Sequence, residues 1–163
     1  MNIVLIGMPS SGKTLTGRIL AEKLGRRLAD MDSEIEKTLG MSIPKIFEEK
    51  GEDFFRKEEN RLAKKLSRRK NAIISTGGGI IKNEDNIRRL SSDGVIVWLN
   101  RDLPLLQSSD YTPLSRTRED LEKLYRERLP LYEKYADITA EANGSGEETA
   151  EEIIKLLKNR NYL

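Results

Sequence analysis

The chain contains no cysteine and no histidine among its 163 residues. Disulfide bonds and thiol chemistry are therefore excluded. Because no imidazole is available, any general base must be a carboxylate, a lysine or a tyrosine.

Neither sign of charge dominates, and no apolar run is long. The 29 basic and 27 acidic side chains leave a formal net charge of only +2, which predicts no broad affinity for nucleic acid. The apolar runs are far shorter than the roughly 20 residues that span a membrane. The amino-terminal residues show no charged-then-apolar leader pattern. We therefore expect a cytoplasmic protein that binds neither nucleic acid nor a membrane.

Short apolar runs alternate with segments whose apolar residues recur at helical spacing. The predicted strands are 2–6, 27–30, 72–75, 94–99 and 137–140. The predicted helices are 14–24, 33–39, 43–50, 52–69, 83–90, 119–135 and 147–159. Pro130 predicts a kink or break in the sixth helix, and residues 104–117 are expected to be irregular. The alternation predicts one α/β domain over 1–163, with a parallel sheet covered by helices on both faces.

Residues 7–14, GMPSSGKT, have the spacing of a loop that cradles phosphate, between a predicted strand and a predicted helix. Gly7 and Gly12 allow successive N–H groups to point inward, and the helix adds its positive end. Lys13 would reach the β- and γ-phosphates of ATP, and Thr14 would offer a hydroxyl to Mg²⁺. An ordinary strand-to-helix turn is the alternative, but it gives no reason for a lysine at its mouth. The predicted ATP contacts are Gly7, Pro9, Ser10, Ser11, Gly12, Lys13, Thr14 and Leu15.

A second pattern, Asp30-Met31-Asp32, follows the second predicted strand. Strand alternation would point Asp30 and Asp32 the same way, at the sheet edge where open α/β folds bind ligands. Two carboxylates beside a triphosphate suit metal binding and the deprotonation of an acceptor hydroxyl. The alternatives are a cap for the next helix or plain solvated acids.

Three further patterns are ambiguous when each is taken alone. Arg56 and Glu59 lie three apart on a predicted helix and can pair, as surface charges commonly do. The triple glycine at 77–79 allows a close approach of the backbone to a ligand, but it also suits a flexible loop. The stretch 126–132, RERLPLY, could be no more than a charged helix.

Taken together and in this order, the patterns resemble the shikimate kinase family. The resemblance rests on the phosphate loop, the Asp-x-Asp pair with Ile35-Glu36, Gly51-Glu52-x-x-Phe55-Arg56-x-x-Glu59, the triple glycine, the strand with Val97-Trp98-Leu99 and Arg128-x-Pro130-x-Tyr132-x-x-x-Ala136. It spans nearly the whole chain without a large insertion. It implies ATP-dependent phosphorylation of the shikimate 3-hydroxyl in aromatic amino-acid biosynthesis. The implied fold is a three-layer P-loop kinase with a five-stranded parallel sheet, an acceptor-binding subdomain near 32–60 and a mobile lid near 105–117.

The resemblance also implies roles by position. Asp32 would hold the acceptor hydroxyls and act as base, Thr14 and Asp30 would order Mg²⁺, and Glu59 would orient the arginines. The implied shikimate contacts are Asp32, Phe47, Arg56, Gly77, Gly78, Gly79, Pro113 and Arg128, of which the two arginines grip the carboxylate. ATP and shikimate are the implied partners, Mg²⁺ is the implied cofactor, and we expect a monomer.

The lid departs from the family pattern, which places an arginine directly before Pro-Leu and another upstream. Here Thr112 precedes Pro113, and the upstream residues 105–108 contain no arginine. We predict that Arg116 takes over the missing charge, with Arg118 as second choice, so the predicted catalytic set is Lys13, Asp32 and Arg116. Two alternatives stay open: a related small-molecule kinase such as a gluconate kinase, and a nucleotide-binding paralogue with weak activity.

Overall fold

Five strands and seven α-helices alternate along the chain in the computed structural model, which describes residues 1–163. The strands are β1 Asn2–Ile6, β2 Arg27–Asp30, β3 Ala72–Ser75, β4 Gly94–Asn100 and β5 Ile138–Glu141. The helices are α1 Lys13–Leu24, α2 Met31–Leu39, α3 Ile43–Lys50, α4 Glu52–Leu66, α5 Glu84–Ser91, α6 Arg118–Tyr135 and α7 Gly146–Asn159. The predicted strands and helices are thus confirmed, with ends that shift by a few residues.

The five strands form one parallel sheet in the order β2-β3-β1-β4-β5. The chain leaves β1 toward β2 and β3 on one side and later crosses to β4 on the other, so the order reverses beside β1. In open α/β sheets, ligands bind beyond the carboxyl ends of the strands at such a reversal. The phosphate loop, the acidic pair, the triple glycine and the lid follow β1, β2, β3 and β4, so all four meet at this edge.

Alternating side chains of the sheet supply two apolar cores. In β1, Ile3 and Leu5 belong to one core and Val4 and Ile6 to the other, and all four are fully buried. Helices cover both faces, which confirms the predicted three-layer fold. A third, smaller cluster joins α2, α3 and α4 around Ile46, beside the same edge of the sheet.

The predicted break at Pro130 is wrong, because α6 continues through it as one helix. Proline removes one helical hydrogen bond, but tertiary contacts hold the helix on either side. Arg128 and Tyr132 are both buried. The Tyr132 ring stacks on Trp98 with 6.0 Å between ring centroids, and its hydroxyl donates to the Gly78 carbonyl oxygen at 2.6 Å.

None of the seven helices combines the length and the apolar character that a membrane-spanning helix requires.

Candidate active site

The phosphate loop connects β1 to α1, and its backbone requires glycine at both ends. A Cβ on Gly7 would lie 2.8 Å from the carbonyl oxygen of Leu99, a distance that real Cβ atoms do not reach. Gly12, with φ of 89°, adopts the left-handed conformation directly before α1. The loop therefore curls tightly and places the amino-terminal N–H groups of α1 at the sheet edge.

Lys13 lies inside this loop. Its Nζ donates to the carbonyl oxygens of Gly7 at 2.9 Å and Met8 at 2.7 Å. Burial lowers the pKa of Lys13 to about 8, although the negative charge of Asp32 opposes this shift. The next residue, Thr14, is exposed, and its hydroxyl donates to Asp30 Oδ2 at 2.6 Å.

The acidic pair is arranged differently from the prediction. Asp30 ends β2 and caps α2, because its Oδ1 accepts from the Ser33 N–H at 3.0 Å. This cap starts the helix at once, so Asp32 belongs to the first turn of α2, and strand alternation does not orient it. Strand alternation is therefore the wrong reason for the predicted common direction, yet both carboxylates line one cavity at the edge of the sheet, as predicted. Asp30 therefore caps the helix, as one of the alternatives predicted, and it also accepts the hydrogen bond from Thr14.

Asp32 has an enclosed carboxylate oxygen. Oδ1 of Asp32 and Oε2 of Glu59 are both buried without a hydrogen-bond partner. Burial, together with the negative charges of Glu59 and Asp30, raises the pKa of Asp32 to about 7. Burial also raises the pKa of Glu59, although Arg56 opposes the shift. Asp32 can therefore exchange a proton near neutral pH.

The triple glycine gives each nearby functional group its space. A Cβ on Gly77 would lie 2.9 Å from Asp32 Oδ1 and 3.0 Å from Glu59 Oε2. A Cβ on Gly78 would lie 3.1 Å from an Nη atom of Arg128. On Gly79 it would approach both Nη atoms of Arg56 to 2.5 Å. Larger residues at 77–79 would therefore displace the two carboxylates and the two arginines, whereas a flexible loop would set no such limit.

The two arginines differ in their partners. Arg56 pairs with Glu59 at 2.9 Å and with Glu52 at 3.3 Å, so its charge is balanced within α4. Arg128 is only 4% exposed, yet it forms no salt bridge. The charge of Arg128 acts on Glu59, but no carboxylate lies within salt-bridge distance of its guanidinium. Its burial carries a desolvation cost, which an incoming anion would offset.

Two cavities open at the sheet edge. The acceptor cavity brings together all the predicted shikimate contacts: Asp32, Phe47, Arg56, Gly77, Gly78, Gly79, Pro113 and Arg128. The loop cavity is lined by six of the predicted ATP contacts and by the predicted metal ligand Asp30: Pro9, Ser10, Gly12, Lys13, Thr14, Leu15 and Asp30. Gly7 and the buried Ser11 lie behind that lining. Four residues line both cavities: Pro9, Asp32, Gly78 and Thr112.

The lid contributes residues that the sequence reasoning missed. Tyr111 and Thr112 line the acceptor cavity beside the predicted Pro113, and that proximity along the chain is the signal that could have identified them. Arg116 is exposed and lines neither cavity, so its catalytic role stays a prediction. Arg118 instead donates to the carbonyl oxygens of Leu106 at 2.8 Å and Leu103 at 2.9 Å.

The chain matches known proteins along nearly its whole length. A family model described as shikimate kinase covers residues 9–158. The shikimate kinase of Ruegeria pomeroyi is 42% identical over 97% of this chain and 85% of its own length. That of Thermodesulfovibrio yellowstonii is 41% identical over 94% of this chain and 93% of its own.

Solved structures give the same result. The shikimate kinase of Acinetobacter baumannii in complex with shikimate superposes with a TM-score of 0.92 and 36% identity, covering 98% of this chain and 93% of that one. A gluconokinase from Sinorhizobium meliloti, at 15% identity and a TM-score of 0.61, shares the fold alone. By sequence and by structure, the chain belongs to the shikimate kinase family of ATP-dependent kinases.

Proposed function

We propose that this chain transfers the γ-phosphate of ATP to the 3-hydroxyl of shikimate, giving shikimate 3-phosphate and ADP. The observation that carries the proposal is Arg128, a buried cation without a salt-bridge partner on the wall of a cavity that joins the phosphate loop. Such a cavity favours a small anion, because the anion can form the direct ion pair that the protein itself does not form.

The acceptor cavity offers a matching side chain or backbone group for each chemical group of shikimate. Arg128 and Arg56 would bind the carboxylate, and Glu59 would hold Arg56 in position through the 2.9 Å ion pair. The unpartnered Oδ1 of Asp32 would accept a hydrogen bond from a ring hydroxyl. Phe47 and Phe55, with ring centroids 5.1 Å apart, would cover the carbon ring together with Pro113, while 77–79 would offer backbone contacts.

The donor side would hold ATP through the N–H groups of the loop and through Lys13. Enzymes of this type bind Mg²⁺ through one or two protein oxygens together with the substrate phosphates. The Thr14 hydroxyl and the Asp30 carboxylate, 2.6 Å apart beside the loop, fit that requirement. The bound metal would neutralise charge that develops on the phosphates.

Asp32 lines both cavities, and this position suits the proton acceptor. The acceptor oxygen would bond to the γ-phosphorus as the bond to the ADP oxygen breaks, and its proton would pass to the Asp32 carboxylate. A pKa of about 7 allows Asp32 to be charged before the transfer and to hold the proton after it.

The lid would exclude water during the transfer and supply a cation. We assign that cation to Arg116, which forms no ion pair, rather than to Arg118, whose guanidinium is bonded to two backbone carbonyls and to Glu122. Lids of this kind prevent water from competing with the acceptor for the phosphate.

We further propose a monomeric enzyme with one domain over 1–163, an acceptor-binding subdomain near 32–60 and a lid near 105–117, whose residues line the two cavities. Its use of ATP supports the cytoplasm as its location.

The test is ADP release measured with shikimate, with gluconate and with no acceptor. We expect ADP release that depends on shikimate and is absent in Lys13→Ala. Faster release with gluconate would assign the site to another acceptor. Release that is equal with and without any acceptor would contradict phosphoryl transfer altogether.

A further inference from the structure

The lid folds into a closed turn that presents one aromatic side chain. The Ser109 N–H donates to the Ser115 carbonyl oxygen at 3.1 Å, so the two ends of the turn are joined. The Ser115 hydroxyl donates to Thr112 Oγ1 at 2.8 Å, and Ser115 is fully buried. The side chain of Thr112, which stands where the family has an arginine, therefore forms its hydrogen bonds within the turn. Tyr111 lies at the tip of the turn.

Tyr111 reaches across the mouth of the acceptor cavity. Its hydroxyl donates a short hydrogen bond to Oε1 of Glu36 on α2, although the two residues lie 75 positions apart in the sequence. The other carboxylate oxygen of Glu36 accepts from the Ile43 N–H at 3.2 Å, at the start of α3. Glu36 thus joins the lid to two helices beside the acceptor cavity.

The hydroxyl, more than the ring, holds Tyr111 in this position. The residue is 51% exposed, so its ring buries only part of its apolar surface. Burial and the neighbouring Glu36 raise the pKa of Tyr111 to about 12, so the phenol keeps its proton and donates at neutral pH. A hydrogen bond to a carboxylate is stronger than one between neutral groups.

The lid is also fixed at its other end. The Gln107 N–H donates to Oγ of Ser10 in the phosphate loop at 2.8 Å. The lid is therefore attached to the donor side by a backbone group and to the acceptor side by a tyrosine. The first attachment is independent of the side chain at 107 but requires the Ser10 hydroxyl, whereas the second requires a phenol at 111.

We propose that Tyr111 is a positioning residue that latches the lid over the acceptor cavity by donating to Glu36, and that this latch sets how tightly the acceptor is retained. It deepens the proposed function and rests on it. Opening the latch requires only that this one hydrogen bond be exchanged for water.

The test begins with Tyr111→Phe, which removes the hydroxyl and keeps the ring. We expect the KM for shikimate to rise about three- to tenfold, as the loss of one hydrogen bond predicts, while kcat changes by less than about twofold. Tyr162→Phe is the matched control, because Tyr162 packs against the core on the opposite face of the sheet from Leu106, where the lid begins. Unchanged KM in Tyr111→Phe, or the same change in the control, would overturn the latch.

A second measurement follows the lid itself. Arg116 is exposed, but it directly follows the buried Ser115, so trypsin can bind the chain around Arg116 only when the turn opens. With saturating shikimate and ADP, cleavage after Arg116 should be several times faster in Tyr111→Phe than in the unmodified protein, with no change in the midpoint of thermal unfolding. Equal cleavage rates would overturn the proposal.

The partner is tested by a double-mutant cycle. In a Glu36→Ala background, Tyr111→Phe should have almost no further effect on the KM for shikimate. An effect as large as in the unmodified protein would exclude Glu36 as the partner and overturn the latch. If the unmodified protein fails to phosphorylate shikimate, the proposed function fails, and that result is distinct from each of these outcomes.

Discussion

The phosphate loop and the lid lie against the same two cavities, yet they are held in opposite ways. The loop is fixed by glycine conformations and by a buried Lys13 that bonds two of its own carbonyl oxygens. The lid is held by polar contacts at the surface, several of them within its own turn. We therefore expect the donor side to stay in place, whereas the surface contacts of the lid can be exchanged for water.

The largest effect should come from a substitution in the phosphate loop. Lys13→Ala removes the cation of the loop, and we expect phosphoryl transfer to be abolished because no other side chain can reach the same position. Circular dichroism should show an unchanged fold, since the two carbonyl oxygens that Lys13 bonds belong to the loop and not to a strand or a helix. Near-normal ADP release by this variant would contradict the donor site.

Asp32→Asn tests the residue that both cavities share. We expect kcat to fall about 10²- to 10⁴-fold, as the loss of a general base predicts, with little change in ATP affinity measured by calorimetry. In the unmodified protein, kcat/KM should rise as the pH increases through about 7, because Asp32 must be charged to accept the proton. A pH-independent kcat/KM over this range would show that Asp32 only positions the acceptor.

Asp32→Asn should lower activity but raise the stability of the fold. A carboxyl group whose pKa is higher in the folded state than in the unfolded chain loses its stabilising effect as the pH rises through the folded value. Asp32→Asn should therefore raise the midpoint of thermal unfolding at pH 8 by about 2 °C or more, and by less at pH 5, where Asp32 is protonated. Asn86→Asp, which would place a new charge at a buried position, should have the reverse effect.

The acceptor side is tested by Arg128→Met, which keeps much of the volume and removes the charge. Shikimate affinity should fall about ten- to hundredfold, the usual effect of losing a charge-assisted contact. Calorimetry without shikimate should show ATP binding unchanged. A loss confined to ATP affinity would move Arg128 to the donor side.

The smallest of these effects on activity should come from removing the lid cation. Arg116→Ala should lower kcat about tenfold with little change in ATP binding to the free enzyme, since an arginine at the transferred phosphate stabilises its developing charge. Thr112→Arg in that variant should restore part of the loss. If Arg116→Ala and Arg118→Ala both leave kcat unchanged, the lid supplies no cation.

The sequence predicts best where function depends on neighbouring residues. The phosphate loop, the strands and most helix ends follow from local patterns of glycine, apolar residues and caps. Asp32 was assigned the correct cavity for the wrong reason, because a cap at Asp30 replaces the strand with a helix. The partner of Tyr111 could not be inferred, since Glu36 is distant along the chain and becomes adjacent only when the lid meets α2.

The buried charge of Arg128, which forms no salt bridge, should also affect how readily the protein unfolds and is degraded. Any ligand that binds the folded state alone stabilises it, and an anion at this buried guanidinium removes a desolvation cost as well. The enzyme should therefore unfold and be degraded most readily when its acceptor is scarce. Its abundance in a cell would then follow the supply of its own substrate, without any dedicated regulatory site.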